Sequence, residues 1–319
     1  IITFVMIFKL SKDFFKSDHL ALISILLLEG IFFFNYTSPE FNVNVSQLPF
    51  WALSIFFAWR CIKYDKIVDF ICLGLFMGIG FLAKYLFLYL IVAIKLLFIY
   101  LLINKKVKTY NFLLAGPVAL IVTLPHLVWL IDNNFITVSY GLQRTGDGSE
   151  MINHIIFPTI FILKQISILL PFFIMSFFLI KNLKFKKIIY DEKMIFLIFT
   201  CFLPIALMVL TSLVMAANIR TMWMTPFYVL SGVVFIKILK NNLNLNRLRK
   251  FYLVFLFFFF LSPATYTIVS LSNDFKRTDY PGKEISRLVQ NRWDDNFSNE
   301  IKLVIGDEWY AGNLSYHLQ

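Results

Sequence analysis

Long apolar runs fill most of the first 271 positions of the chain, and short polar segments separate them. The runs lie at about 1–9, 20–36, 47–59, 67–83, 84–103, 110–131, 155–180, 194–215, 220–239 and 251–271. A helix needs about 20 mainly apolar residues to cross the hydrocarbon core, at a rise of about 1.5 Å per residue. The pattern therefore predicts an all-α polytopic membrane protein, with about nine complete spans and one truncated span in residues 1–271.

Three features of this pattern call for a closer interpretation. The stretch 67–103 is too long for one crossing, and we predict a break at Ala83-Lys84, where a charge interrupts it. The run 47–59 is short, and Pro49 near its start suggests a tilted or partly re-entrant helix. The chain begins inside the apolar run 1–9, so we expect a fragment that lacks at least one upstream helix and also stops short at its C-terminal end.

The composition supports a membrane protein and excludes several other classes. Hydrophobic residues make up 59% of the 319 positions and charged residues 15%, against about 45–50% and about 25% in soluble domains. A soluble globular protein, a disordered tail and a disulfide scaffold are therefore excluded. The three cysteines, Cys61, Cys72 and Cys201, lie in or beside apolar runs and build neither a disulfide framework nor a metal cluster.

The net charge of +11 would suggest nucleic acid in a soluble protein, but the distribution of the charge points elsewhere. Lys and Arg are concentrated in five alternate connecting segments. These are 9–18, 60–66, 104–109, 181–193 and 237–250. Because basic loops stay on the cytoplasmic side, these segments predict a multi-pass inner (plasma) membrane protein with residues 132–154 and 272–319 on the extracytoplasmic side. The lipid bilayer is the expected partner, and nucleic acid is not.

The tail after position 271 is more polar than the rest of the chain. Tyr280-Pro281-Gly282 is a turn signal. Residues 283–293 have helical spacing of apolar positions, and 301–305 is a short strand-like run. We therefore predict that 272–319 is the start of a small extracytoplasmic α/β domain, truncated at the end of the chain.

Several polar and aromatic residues within the runs have ordinary interpretations. Glu29, Lys95 and Lys164 lie in mid-span, where ionisable groups pair with one another or line a wet cavity. Trp51 and Trp129 are expected to belong to aromatic belts at the membrane interfaces. None of these residues alone predicts a reaction.

Three cations lie near the predicted outer ends of the spans. They are Lys84, Arg144 in the outer loop, and Arg220 at the start of the 220–239 run. Cations at one membrane level suit the phosphate of a lipid headgroup, which Arg binds as a planar fork and Lys as a point charge. The alternative is that these side chains only anchor helix ends at the interface. His126 and Trp223 lie at a similar level.

Five segments, in this order, carry a resemblance to a known family. They are FNVNVSQLPFWAL from Phe41, GLFMGIGFLAKY from Gly74, PHLVWLIDNNF from Pro125, MWMTP from Met222, and DYPGKE from Asp279 with GDEWYAGN from Gly306. The chain resembles bacterial membrane glycosyltransferases of family 39. These are the polyprenyl- or dolichyl-phosphate-mannose mannosyltransferase-like proteins with the GT-C fold.

The resemblance implies an extracytoplasmic active site that moves a sugar, with inversion, from a polyprenyl-phosphate donor to lipid A, another glycan or a protein. It also implies an acidic base in the first outer loop, which would precede residue 1, so the catalytic residue of this chain is unknown. We expect Lys84, Arg144 and Arg220 to contact the donor phosphate. His126, Asp132 and Trp223 are the expected pocket residues.

Other interpretations remain open at this point. Asp132 and Glu40 lie on the outer side, but no motif assigns either of them the role of base. Some relatives use a divalent metal as cofactor, yet no cluster of ligand residues in the sequence supports a metal site. The alternative functions are a transporter or flippase of a lipid-linked glycan, or a surface-polysaccharide polymerase.

Overall fold

The structure, a computed structural model, describes residues 1–37, 41–106, 110–145, 150–181, 190–272 and 279–318. It forms two compact units, Ile1–Ser262 and Pro263–Gln319. The described residues are mainly helical. The α-helices are α1 (Ile2–Phe15), α2 (Asp18–Leu26), α3 (Val43–Ser46), α4 (Leu48–Tyr64), α5 (Ile67–Ala83), α6 (Leu88–Ile103), α7 (Ala115–Asp132), α8 (Ile136–Gln143), α9 (Asn153–Ile168), α10 (Leu170–Phe177), α11 (Glu192–Leu197), α12 (Leu203–Met215), α13 (Ser231–Leu239), α14 (Leu248–Ser272), α15 (Gly282–Asn296) and α16 (Glu308–His317).

Within the described residues, five helices are long and apolar enough to cross a membrane. They are Val43–Tyr64, Tyr85–Ile103, Asn111–Asp132, Glu192–Met215 and Leu248–Ser272, and the number rises to seven if each of two bent helix pairs is one span. The prediction of an all-α polytopic membrane protein is confirmed. The run 47–59 lies inside a helical stretch of 22 residues, longer than its apolar residues alone suggested.

The predicted break in the 67–103 stretch is confirmed at Lys84. This residue has extended backbone angles (φ −167°, ψ 136°), which end α5. A short 3₁₀ turn at Tyr85–Phe87 then leads into α6. Lys84 therefore lies at a junction outside both helices, where a charged side chain is less costly than in mid-span.

Two runs that the sequence suggested as continuous spans are bent instead. The axes of α9 and α10 differ by 43°, and Pro171 at the start of α10 removes a backbone donor there. The run 220–239 divides into a 3₁₀ helix, Thr221–Tyr228, and α13, which differ in direction by 53°. We refer to Thr221–Tyr228 as the 3₁₀ segment.

Aromatic side chains form the core beside the Lys84 junction. The Trp51 ring of α4 lies 5.3 Å from the Phe87 ring and 4.8 Å from the Phe227 ring, measured between centroids. All three side chains are buried. They fix α4, the start of α6 and the 3₁₀ segment against one another, and so position the polar groups at this end of the bundle.

The second unit contains α15 and α16, which pack together. Gly282 lies so close to the His317 ring that a Cβ atom there would be 2.8 Å from it. The expected strand over Ile301–Ile305 is wrong, because this segment adopts no regular secondary structure. No second strand lies beside it among the described residues, and a strand needs a neighbour to pair its backbone groups. The part of this unit that the structure describes is thus helical rather than α/β.

Candidate functional site

Lys84 has a specific environment at the junction between α5 and α6. Its ammonium group donates a hydrogen bond to the Asn44 side-chain oxygen and lies 5.0 Å from the centre of the Trp223 ring. Burial, reinforced by the nearby positive charge of Arg220, lowers the pKa of Lys84 to about 7. A lysine with this pKa changes its charge near neutral pH, and a bound anion would favour its charged form.

Asn44 is a site residue that the sequence did not single out. The side chain of Asn42 caps α3 by accepting the backbone N–H groups of Asn44 and Val45. This cap holds Asn44 on a turn that packs against the 3₁₀ segment, with its side chain buried. Only the contact with Lys84 identifies Asn44, because a lone asparagine near a helix start ordinarily indicates a cap.

Further polar atoms are buried behind Asn44. The Gln47 Oε1 and the Trp51 Nε1 are inaccessible to solvent and have no hydrogen-bond partner in the described part of the chain. Buried polar atoms usually have a partner, so these two atoms are exceptions in the helical stretch that contains Asn44. The predicted aromatic-belt role of Trp51 is therefore wrong, because this side chain is 1% exposed and belongs to the core.

Arg220, the residue before the 3₁₀ segment, is exposed, and its positive charge lowers the pKa of Lys84. Two residues earlier, the backbone N–H of Asn218 donates to the Thr145 carbonyl oxygen at 2.8 Å. The neighbouring Arg144 has its guanidinium group 5.0 Å from the Tyr140 ring centre. The structure thus brings Lys84, Arg220 and Trp223 together, and it joins Thr145, just after α8, to the segment that precedes Arg220.

His126 contacts the neighbour of Lys84 rather than Lys84 itself. The Tyr85 hydroxyl lies 2.6 Å from His126 Nε2 and 2.6 Å from the Thr137 hydroxyl oxygen. The His126 ring also stacks on Trp129, with 5.6 Å between ring centres. Tyr85 therefore connects the junction to α7 and α8, a role that the sequence did not reveal.

Asp132, the last residue of α7, is exposed. No hydrogen bond or ion pair joins it to Lys84, Arg144 or Arg220 among the described residues. Glu40 lies outside the described residues. Within the described ranges, no group of three or more His, Cys, Asp or Glu side chains is placed to hold a metal ion. The described residues therefore offer no set of ligands for a divalent metal.

Lys164 lies closer to this region than its mid-span position suggested. It lines a groove of about 370 Å³ together with Thr221, the residue after Arg220. The other groove residues are mainly apolar, and they include Ile160, Leu163 and Ile168. The groove combines one ammonium group with a surface suited to hydrocarbon.

Comparison with known proteins agrees with this fold. Residues 1–129, which include Lys84 and His126, match the family described as dolichyl-phosphate-mannose-protein mannosyltransferase. The chain is also similar to the lipopolysaccharide core galacturonosyltransferase RgtB of Rhizobium johnstonii, at 29% identity over 108 residues. That match covers 32% of this chain and only 22% of RgtB. No solved structure gives a significant match. The two matches, each over only part of the chain, show similarity to a mannosyltransferase family and to a lipopolysaccharide core glycosyltransferase.

Proposed function

We propose that the chain transfers a sugar from a polyprenyl-phosphate donor to an acceptor outside the cytoplasm. The observation that carries this proposal is the arrangement of Lys84, Arg220 and Trp223 at one end of the bundle. Two neighbouring cations, one of which lowers the pKa of the other, form a site that favours an anion. The family match over residues 1–129 supports a sugar linked to a lipid phosphate as that anion.

The chemistry of this donor explains why two cations are needed. When the sugar leaves, negative charge grows on the lipid phosphate, and fixed positive charges lower the energy of that step. Arg220 supplies a planar guanidinium fork, whereas Lys84 supplies a compact charge held by Asn44. Trp223 offers an apolar ring face beside them. The base that activates the acceptor is not assigned to any residue of this chain.

The groove beside Thr221 supplies a place for the lipid part of the donor. Its apolar wall suits the first isoprene units, and its position next to Arg220 keeps the attached phosphate near the two cations. Arg144, the residue after α8, is proposed to reach the same phosphate. His126 and Asp132 are proposed to line the acceptor side of the pocket.

The orientation follows from the distribution of basic residues. The five basic segments are proposed to face the cytoplasm of a bacterial inner membrane, which puts the site around Lys84 on the outer side. Residues 132–154 and 272–319 are proposed to lie outside as well. The proposed acceptors are lipid A, another glycan or a protein. Similarity to a lipopolysaccharide core transferase favours the first two of these.

The proposal is tested by assaying bacterial membranes that contain the protein with a radiolabelled polyprenyl-phosphate sugar. We expect Arg220→Ala to reduce transfer by about a hundredfold, a typical effect of removing one group that stabilises developing charge. Arg220→Lys should restore part of the activity. Lys66→Ala, at an exposed cation on the opposite predicted face, is the matched control and should leave transfer unchanged.

Two results would contradict the proposal. If transfer by Arg220→Ala falls only in proportion to the amount of variant protein in the membrane, Arg220 has no role in the reaction. Movement of the labelled lipid across the membrane without transfer to any acceptor would instead identify a flippase.

A further inference from the structure

A polar cavity lies at the end of the bundle opposite the Lys84 site, where the basic segments are. It has a volume of about 770 Å³ and is formed by the ends of α1 and α4 and the start of α2. None of its residues belongs to the site around Lys84. The cavity therefore needs an explanation that is independent of glycosyl transfer.

The cavity wall carries a net positive charge. Four of its residues are Lys or Arg, namely Lys9, Lys12, Lys16 and Arg60, and two are aspartates. Both aspartates are already occupied. Asp18 pairs with Lys12, and the Asp13 carboxylate accepts from Lys16 and from two groups of α4. The wall thus has more positive than negative charge after its internal pairs are counted.

Asp13 keeps its charge under all ordinary conditions. Burial opposes its ionisation, but hydrogen bonds from Lys16, Lys63 and the Trp59 indole outweigh this effect. As a result the pKa of Asp13 lies well below its usual range. The carboxylate therefore stays engaged with these donors rather than competing for an added cation, and the remaining charge of the wall stays positive.

Among the cations of the cavity wall, Lys9 is the one for which the described residues provide no ion pair. Its side chain is exposed to the cavity region and has no ion pair among the described residues. Arg60, in contrast, is bonded to the buried Asp69 at 2.7 Å and lies over aromatic rings. A phosphate group in the cavity would therefore meet one free ammonium group and one guanidinium group fixed in place.

The cavity is also amphipathic along the axis of α4. Tyr64 ends α4, whereas Phe56 lies eight residues earlier and therefore about 12 Å from that end, toward the middle of the helix. Phe56 and Trp59 line the same wall as the cations. The cavity therefore has phosphate-binding groups near the end of α4 and aromatic surface nearer the middle of that helix. This arrangement suits an amphiphile rather than a free anion.

We propose that this cavity binds the phosphate headgroup of an anionic phospholipid, with the start of its acyl chains against Phe56. Lys9 is the residue that distinguishes such a lipid from a zwitterionic one. The lipid would sit in the leaflet that contacts the basic segments.

The test is native mass spectrometry of the purified full chain with dioleoyl-phosphatidylglycerol or dioleoyl-phosphatidylcholine. We expect the chain to retain the anionic lipid preferentially. Lys9→Gln should weaken its binding by about fivefold, since one cation near a membrane surface contributes on that order. Lys9→Arg should keep the binding, and Lys66→Gln, a control on the same face but outside the cavity, should not change it.

Three outcomes would overturn the proposal. Equal loss with Lys9→Gln and Lys66→Gln would mean general surface attraction. Equal retention of the two lipids would mean that the cavity does not select a lipid by its net charge. Displacement of phosphatidylglycerol by millimolar inorganic phosphate would identify a site for a soluble phosphate. A matching thermal unfolding profile for Lys9→Gln and the wild type establishes that the variant is folded.

Discussion

Gly74 of α5 and Ala115 of α7 bring their helix backbones into direct contact. A Cβ atom on Gly74 would lie 2.5 Å from the Ala115 carbonyl oxygen and 2.8 Å from the Val118 Cβ. One turn later, a Cβ atom on Gly78 would lie 2.7 Å from the Val122 Cβ. The two glycines, four residues apart, therefore form the small-residue face that such spacing indicates in membrane helices.

Gly74→Val should destabilise the bundle by about 2 kcal/mol, because the added side chain meets backbone that cannot move aside. Thermal unfolding in detergent, followed by circular dichroism, measures the effect. Gly116→Ala is the matched control on α7, where an added Cβ atom meets nothing within 4 Å. This control should be neutral or slightly stabilising, since alanine favours a helix over glycine. Equal behaviour of the two variants would contradict the close crossing.

Asp13→Asn should cost about 2 kcal/mol, since hydrogen bonds to a charged group contribute on this order and three donors converge on this carboxylate. The pKa of Asp13 is lower in the folded chain than in the unfolded chain. Its stabilisation is therefore present at neutral pH and is lost as the pH falls into the acid range. Denaturant unfolding at pH 7 measures the loss. Asp18→Asn, at a carboxylate that is 64% exposed, should change stability by less than about 0.5 kcal/mol.

Tyr85→Phe keeps the ring but removes the hydroxyl that contacts His126 and Thr137. We expect faster hydrogen exchange over α8, by about fivefold to tenfold, because about 1 kcal/mol of hydrogen bonding is lost. Exchange over α4 should stay the same. Tyr110→Phe, at an exposed tyrosine, provides the comparison. Unchanged exchange over α8 would mean that Tyr85 does not hold this helix.

The proposed binding of a polyprenyl-phosphate donor should depend on pH, because the pKa of Lys84 is lowered to about 7. The charged form, which attracts the phosphate, prevails below this value and is lost above it. We therefore expect donor affinity to fall as the pH rises above 7, approaching a tenfold loss per pH unit. Binding of a fluorescent polyprenyl phosphate between pH 6 and pH 9 measures this. Lys84→Arg should flatten the profile, because arginine stays charged throughout, and an unchanged profile would exclude Lys84 as its source.

Apolar periodicity was enough to predict most of the helical architecture. The charge at Lys84 located the break between α5 and α6. This feature is local, because a charge inside an apolar run interrupts a membrane span in many different surroundings.

The bends and the partners of the site residues were not predictable in this way. Whether a proline such as Pro171 bends a span depends on what packs around it. The contact between Lys84 and Asn44 joins residues 40 positions apart, and neither residue predicts the other from the sequence. The strand expected at Ile301–Ile305 failed for a similar reason, since a strand requires a neighbour that the local pattern does not specify.

The burial of Lys84 has a calorimetric consequence. At pH 8 the empty site holds this side chain mainly as the neutral amine, because its pKa is about 7. A bound phosphate favours the ammonium form, so binding must draw close to one proton from the buffer. The measured heat of binding then depends on the buffer's own ionisation enthalpy and differs between Tris and HEPES. The site would thus take its full positive charge only when the proposed donor binds, and at pH 8 the proton that charges Lys84 would come from the solvent.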